Sequence, residues 1–465
     1  QYGLDPYKTC EETQPICFED AKKLYHNLED YSVDLLFPIL FKIHEEKTGI
    51  IDKFLGIMPE FVDYLHTFED KGYKLIKDYM IPILNEIFKA VEDPKVLESC
   101  SKCLVKITGY LTTEDKGEAV LTNVIKMAHE DDTKENLRVL SVKLFNDLAS
   151  VIGGELYEIY VVPQMASFAD DQSSKVRKAV AGNLIAICEC VSHEVFVGKL
   201  LSVYQKISKD SLWNVRKASV EILPKLTKLC DSKIISTELL DIFKSFATDQ
   251  KNHVRISALE IFGEFISLIK KDDNIENYNV LLDFYISSIQ DFKGSKGDND
   301  IKIISKCAYN FPAVLLFWGK ESWDKLKPCY MKMMEERDEK IKISLASALG
   351  EISNILGKEL TEKDLIGFVS TFLSNSKEVQ IKVLGILPTI IKNMSNEEKS
   401  KPYLDNIKIM IGLNEKWRRK LEYAKIIGRY HNTYSDETIY KRVFPIALYF
   451  VTLPFLSYGG SSLLQ

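Results

Sequence analysis

An aspartate recurs in this chain every 39 residues, at Asp93, Asp132, Asp171, Asp210 and Asp249. Each of the last four is followed six positions later by an arginine that an aliphatic residue precedes: Arg138, Arg177, Arg216 and Arg255. A fixed period of about 40 residues is typical of a solenoid, in which each repeat packs only on its neighbours. Such chains present an extended binding surface, so the period favours a binding protein over an enzyme.

The residues of one period predict a helical hairpin. Between residues 171 and 191, apolar side chains lie at Val176, Val180, Leu184 and Ile187, which is one face of an α-helix. A second amphipathic stretch, 156–169, comes before it. Each unit is therefore predicted to be helix, turn and helix. The aspartates fall in the turns, where a short carboxylate can cap the second helix.

The length of the period identifies the kind of repeat. Units of about 40 residues with Asp in the turn match HEAT repeats, whereas tetratricopeptide and ankyrin units are shorter. Beyond Arg255 we assign the arginine position to lysines: Lys302, Lys342, Lys382 and Lys420. The sequence predicts an all-α HEAT-repeat α-solenoid of about ten hairpins. Its predicted parts are a repeat block (1–290), a short flexible loop (291–300), a second repeat block (301–450) and a divergent tail (451–465).

Composition and motifs argue against several classes of function. The formal net charge of −6 disfavours nucleic acid as a partner, because phosphate binding needs a basic footprint. We find no phosphate-binding glycine loop, zinc-protease motif or nucleophile elbow, and therefore expect no catalysis, no cofactor and no metal site. Cys100, Cys103 and Cys188 fall on apolar helix positions and are expected to pack in the core as free thiols.

The same sequence suggests a location. The first residues lack the basic and apolar regions of a signal peptide, and the most apolar run, 443–458, is short for a membrane helix. We expect a protein of the cytoplasm, the nucleus or both, without a membrane partner.

Two roles are predicted for the turn residues. The repeated Asp and Arg residues should form a structural ladder, each arginine pairing with an aspartate of its own or the adjoining turn. Residues that break the repeat pattern on the same edge are candidates for a partner-binding ridge, with a tryptophan as an anchor. The candidates are Lys175, Trp213, Asn214, Lys217, His253, Trp417 and Arg418. For most of them a solvated charged face is the simpler interpretation, and Trp213 could instead cover its own hairpin.

Several collinear segments resemble a known family. Residues 175–191, 210–226, 346–373 and 444–450, and above all C-A-Y-N-F-P-A-V within 305–330, are similar to the protein phosphatase 4 regulatory subunit 1 family. That family is related to the scaffold subunit of protein phosphatase 2A. The resemblance implies a non-catalytic subunit that binds a phosphatase catalytic subunit, of type 4 or 2A, and positions it on substrates or further subunits. The alternatives are a HEAT-repeat nuclear transport receptor and a structural assembly scaffold.

Overall fold

The computed structural model describes residues 48–129, 134–270, 278–291, 298–394, 404 and 417–448. Every regular element in these ranges is helical, and none is a β-strand. The predicted all-α class is confirmed over them. None of the helices in these ranges is both long and apolar enough to span a bilayer.

Contacts between residues divide the chain into two units, Gln1–Leu229 and Cys230–Gln465. The boundary falls inside the predicted first repeat block, and the predicted blocks themselves stay a prediction. Most of the loop predicted at 291–300 and the whole tail predicted at 451–465 lie outside the described residues.

In the first unit the chain forms helical hairpins. Its α-helices are α1 (Thr48–His66), α2 (Glu69–Leu75), α3 (Ile81–Ala90), α4 (Pro94–Gly109), α5 (Thr113–Asp115), α6 (Thr122–His129), α7 (Glu135–Ile152), α8 (Gly154–Leu156), α9 (Val162–Phe168), α10 (Ser174–Cys190), α11 (His193–Val195), α12 (Leu201–Ser208) and α13 (Trp213–Thr227). Segments of π-helix join some of them: Ile76–Met80, Lys116–Leu121, Tyr157–Val161 and Phe196–Leu200.

The second unit continues with hairpins of the same kind. Its α-helices are α14 (Ser232–Ile234), α15 (Leu240–Ala247), α16 (Asn252–Ser267), α17 (Asn279–Gln290), α18 (Asp298–Trp318), α19 (Trp323–Met334), α20 (Glu339–Leu360), α21 (Ile366–Leu373), α22 (Lys377–Lys392), α23 (Trp417–Ile427) and α24 (Asp436–Thr438). Its π-helical segments are Ile235–Leu239, Thr361–Leu365 and Ile439–Val443, and its 3-10 segments are Lys320–Ser322 and Gly428–Asn432.

Hairpins stack through their second helices, which follow the turns. In the first unit α10 packs between α7 and α13, and in the second unit α18 packs between α16 and α20. The stripe predicted on α10 is its buried face, since Val176, Val180, Leu184 and Ile187 are all fully buried. The turns lie where the aspartates predict them. Helices end at Phe168, Ser208 and Ala247 and resume at Ser174, Trp213 and Asn252.

A buried tyrosine ties the two helices of several hairpins together. The Tyr204 hydroxyl donates to the Ser219 carbonyl at 3.0 Å, and the Tyr330 hydroxyl donates to the Leu345 carbonyl at 2.8 Å. Both pairs are separated by 15 residues, so Ser219 and Leu345 occupy the same place in their hairpins. Each bond satisfies a phenol that burial would otherwise leave without a partner.

Asn310 joins two neighbouring second helices, α16 and α18. Its Nδ2 donates to the Leu259 carbonyl at 2.5 Å, and its Oδ1 accepts from the Gly263 N–H at 3.1 Å. Those two backbone groups are four residues apart and are the pair that an α-helix would bond to each other. The side chain is 3% exposed, so α18 contributes a buried amide to the backbone of α16.

Replacing Gly263 by alanine should destabilise the second unit, although alanine is the better helix former. An added Cβ would lie 2.5 Å from Asn310 Oδ1 and would force the amide out of its bonds. We expect a loss of about 1–3 kcal/mol in the free energy of unfolding, measured by urea denaturation. The matched control is Gly385→Ala in α22, where the added Cβ meets nothing within 4 Å. Gly385→Ala should raise the free energy of unfolding by up to about 1 kcal/mol. Equal changes in stability for Gly263→Ala and Gly385→Ala would contradict a stabilising contact between Asn310 and the backbone of α16.

Candidate partner-binding ridge

The turn aspartates hold the backbone of the turns rather than the first turn of the helices. Asp171 Oδ1 accepts from the Ser173 N–H at 2.7 Å, and Asp210 Oδ1 accepts from the Leu212 N–H at 2.8 Å. Ser173 and Leu212 are the N-cap residues of α10 and α13. The predicted helix-capping role is therefore wrong for these two aspartates, which close a tight turn just before the helix. Asp93 does cap α4, accepting from the Lys95 N–H at 2.9 Å.

Arg177 connects its own turn to the next one. Its Nε donates to Asp210 Oδ2 at 2.6 Å and its Nη2 donates to Asp210 Oδ1 at 3.2 Å. Its Nη1 donates to the carbonyls of Asp171 at 2.7 Å and Gln172 at 3.1 Å. The side chains of Arg177 and Asp210 are 15% and 7% exposed, so this bidentate pair is shielded from water.

The same geometry recurs one repeat earlier. Arg138 donates from Nε to Asp171 Oδ2 at 2.6 Å and from Nη2 to Asp171 Oδ1 at 3.1 Å. Each of these two arginines therefore reaches the aspartate 33 residues ahead, in the following turn. Arg216 and Arg255 donate from Nη1 to the carbonyls of Asp210 and Asp249 in their own turns. Asp132 lies outside the described residues.

In the second unit, a neutral partner replaces the aspartate. Lys342 Nζ donates to Asn375 Oδ1 at 3.0 Å, again across 33 residues. The assignment of Lys302 to the arginine position is wrong. The Tyr285 hydroxyl donates to the Cys307 carbonyl, which makes Cys307 the counterpart of Leu345. Because Lys342 lies three residues before Leu345, its counterpart is the buried Ile304.

Charge pairing lowers the pKa of Asp210. Burial alone would raise the pKa of Asp210, but the hydrogen bonds from Arg177 and from the Leu212 N–H outweigh it and hold that pKa below its ordinary value. The Asp210 hydrogen bond also raises the pKa of Arg177. Asp210 is therefore ionised at neutral pH, and its bond with Arg177 is charge-assisted.

Among the candidate ridge residues, those of the first unit lie beside this ladder. Lys175 is exposed, and its Nζ contacts Glu135 Oε1 at 2.5 Å, across two consecutive turns. Trp213 is the first residue of α13 and is 37% exposed. Asn214 follows it, and Lys217 pairs with Glu221 on the same helix at 2.6 Å.

The other candidate ridge residues belong to the second unit. His253 is exposed in the first turn of α16, just after the turn that contains Asp249. Trp417 and Arg418 open α23, as Trp213 opens α13, and their side chains lie outside the described residues. Whether any of the candidates binds a partner stays a prediction.

Leu212 joins Trp213 on this edge, and sequence reasoning missed it. It is 44% exposed, so two large apolar side chains stand side by side at the start of α13. The period contains the signal that would have found it. Thirty-nine residues earlier the same position is Ser173, and 39 residues later it is Lys251. An apolar residue where neighbouring repeats are polar marks a surface that differs from the repeat itself.

The described residues hold no cluster of His, Cys, Asp and Glu that could bind a metal ion. Cys100, Cys103 and Cys188 are buried, as expected for core positions. Burial raises the pKa of Cys103 to about 12, which keeps its thiol protonated and unreactive at neutral pH.

Comparison with known proteins identifies relatives. A family model, the protein phosphatase 4 regulatory subunit 1 middle domain, matches residues 307–409. The human serine/threonine-protein phosphatase 4 regulatory subunit 1 is 30% identical over 170 residues, 36% of this chain and 18% of that protein. The human regulatory subunit 4 is 21% identical over 453 residues, 92% of this chain and 48% of that protein. These matches span less than half of either relative. The predicted resemblance to the phosphatase 4 regulatory subunits is confirmed.

Solved structures with a similar fold include importin-beta chains. Importin beta superposes with a TM-score of 0.63 at 13% identity, covering 91% of this chain and 55% of that chain. Yeast importin-beta (Kap95p) superposes with a TM-score of 0.62 at 14% identity, covering 95% of this chain and 57% of that chain. At such identities the likeness concerns the fold alone, and it confirms the predicted helical-repeat solenoid.

Arg177→Ala should lower the stability of the first unit by about 2–3 kcal/mol, because it leaves the shielded Asp210 carboxylate without its cation. Urea denaturation measures the change. Lys217→Ala, which removes an exposed pair within one helix, serves as the control and should cost about 0.5 kcal/mol or less. The double variant Arg177→Ala, Asp210→Ala should lose less stability than the sum of the losses measured for the two single variants. Additive costs would mean that the pair does not couple the turns.

Acid should destabilise the first unit partly through Asp210. Its pKa is lower in the folded chain than the ordinary value of about 3.9, so the unfolded chain takes up the proton first. The contribution of Asp210 to stability is fully present above its ordinary pKa. It is lost as the pH falls toward its pKa in the folded chain. Stability measured from pH 6 to pH 3 should therefore fall less steeply in Asp210→Asn than in the parent chain. The same dependence of stability on pH in Asp210→Asn and in the parent chain would contradict a lowered pKa of Asp210.

Proposed function

We propose that this chain is a non-catalytic regulatory or scaffold subunit of a serine/threonine protein phosphatase of type 4 or 2A. The observation that carries the proposal is the match of residues 307–409 to the regulatory subunit 1 middle domain. The relatives named above are regulatory subunits, and the solenoid offers a partner a series of turns and helix faces. On this proposal the chain works in the cytoplasm, the nucleus or both, beside its catalytic subunit.

The proposed mechanism is positional. The metal ions and the hydrolytic chemistry belong to the catalytic subunit, and the chain holds that subunit at one part of its turns while other parts bind substrates or further subunits. Arg138 and Arg177 fix consecutive turns of the first unit against each other. Side chains on that edge can therefore bind without first ordering the backbone that carries them.

Within the first unit we place the contact at Leu212 and Trp213. These are adjacent apolar side chains with 44% and 37% exposure, and tryptophan is a frequent anchor of protein interfaces. Lys175 and Lys217 supply charge on the same edge, where it would affect the rate and specificity of association more than the affinity.

Two other functions compete with this one. A nuclear transport receptor has the same kind of fold, and a structural scaffold would use the same turns. The likeness to importin beta, at 13% identity, bears on the fold alone, so it favours neither of them over the phosphatase proposal.

The test is a titration of the purified chain with recombinant phosphatase 4 and phosphatase 2A catalytic subunits. We expect binding to at least one of them, with a changed turnover of a phosphopeptide, and no phosphate release by the chain alone with manganese present. Trp213→Ala should weaken binding by about 2 kcal/mol, or about 30-fold, with Leu212→Ala weaker in effect. The matched control is Ile159→Ala, at a 67% exposed residue elsewhere in the first unit, and it should bind like the parent chain.

The possible failures have different meanings. If neither catalytic subunit binds, the phosphatase proposal is wrong. Binding that survives Trp213→Ala and Leu212→Ala would leave the phosphatase proposal standing but exclude this turn as the contact. Phosphate release by the chain alone that persists through further purification would overturn the non-catalytic role.

A further inference from the structure

The second helices of the first unit are basic, although the chain as a whole is acidic. Together α4, α7, α10 and α13 contain eleven lysines and arginines against five aspartates and glutamates, whereas the formal net charge of the chain is −6. The second helices of the second unit, α16, α18, α20 and α22, contain nine against eight. The hairpin fold therefore does not require this positive charge, which is a property of the first unit.

Three of the lysines form a row across neighbouring helices. Lys178 and Lys217 are each the fifth residue of their helices, α10 and α13, which pack side by side. On the other side of α10 lies α7, where the 39-residue period places Val139 level with Lys178 and Lys143 one turn beyond it. Lys143 and Lys178 are exposed, and the side chain of Lys217 is 39% exposed. Because packed helix axes are about 8–10 Å apart, the lysines of this row follow one another at about 10 Å.

Two lysines of the row have no carboxylate partner. Within the described residues, Lys143 and Lys178 form no ion pair and no side-chain hydrogen bond. Lys217 differs, because its Nζ contacts Glu221 Oε1 at 2.6 Å. That pair is exposed and lies within one helix, so it is weak, and a partner's carboxylate can take the place of Glu221.

Lys178 is the centre of this positive charge. Beside it lie Val139 on α7 and Lys217 on α13, and Gly182 is one turn beyond it on its own helix. The next acidic residue of α10, Glu189, is about 16 Å further along the helix.

Lys143 has an acidic neighbour one turn beyond it, Asp147. The carboxylate of Asp147 instead accepts from Ser101 Oγ of α4 at 2.6 Å and from Asn146 Nδ2 at 3.1 Å. The ammonium group of Lys143 is therefore available to a partner, although Asp147 offsets part of its charge.

We propose that the row of Lys143, Lys178 and Lys217 is a docking site for an extended acidic segment of another protein. The unpaired ammonium groups select carboxylates, because complementary charge raises the specificity and rate of association. In a polyproline II helix every third side chain lies on one side, at intervals of about 9 Å, which is close to the spacing of the row. Nucleic acid fits less well, since a chain of net charge −6 repels a long run of phosphates. The row does not include Leu212 or Trp213, and the proposal does not depend on the phosphatase role.

The experiment uses a fluorescent peptide of repeated Glu-Pro-Pro units, about 18 residues long, which holds its glutamates on one side of a polyproline II helix. Its anisotropy is measured while the purified chain is added at low salt. We expect saturable binding that weakens as salt is added, and no binding of a matched peptide with glutamine in place of glutamate. No binding of the glutamate peptide, or equal binding of the two peptides, would overturn the proposal.

Removing charge from the row should weaken this binding. The variant Lys143→Gln, Lys178→Gln should bind the glutamate peptide about fivefold more weakly, because each exposed charge pair contributes little alone. The control Lys126→Gln, Lys199→Gln removes the same charge from exposed positions in the first helices of two hairpins and should bind like the parent chain. The melting curves of both variants should match that of the parent, since the substituted side chains are exposed.

Two outcomes would replace the site or the ligand. Equal weakening in the two double variants would show an effect of net charge alone and would overturn the row as the site. Tighter binding of an oligothymidylate of the same length, lost in Lys143→Gln, Lys178→Gln, would replace the acidic peptide with nucleic acid.

Discussion

The guanidinium of Arg177 holds two turns at once, and the order of the first unit depends on bonds of this kind. One nitrogen bonds the carbonyls of its own turn, and two more bond the Asp210 carboxylate of the next. Arg138 makes the same contact with Asp171. Hairpins that contact only their neighbours have no distant contacts to correct their stacking. A planar five-donor group suits this task, whereas the single ammonium of Lys342 reaches only one atom of Asn375.

Much of this fold could be predicted from the sequence because the pattern is periodic. The 39-residue spacing and the stripe of Val176, Val180, Leu184 and Ile187 predict the hairpins and their buried faces. The pairing of the ladder stayed open between the same turn and the adjoining turn. Spacing along the chain does not say which neighbour a long side chain reaches. Arg177 does both, since it bonds the carbonyls of its own turn and the carboxylate of the next.

Where the repeat is broken, sequence reasoning failed or was silent. The spacing of 40 residues before Lys342 predicts Lys302 at the arginine position, yet the structural spacing there is 38 residues, and the buried Ile304 occupies that position. Leu212 attracted no attention because apolar residues are expected in helical hairpins. Its exposure depends on which side of the helix it occupies, and only packing reveals that. The contact that we propose at Leu212 and Trp213 arises from such a departure.

The contact between Gly263 and Asn310 links two positions 47 residues apart. A side chain at position 263 would occupy the space that the amide of Asn310 uses, and without an amide at 310 the backbone of α16 would lose the bonds it receives from α18. Neither residue can therefore change alone without loss. During divergence the two positions should covary, with glycine accompanying asparagine. The residues at these two positions in related sequences would then indicate how α16 and α18 are aligned.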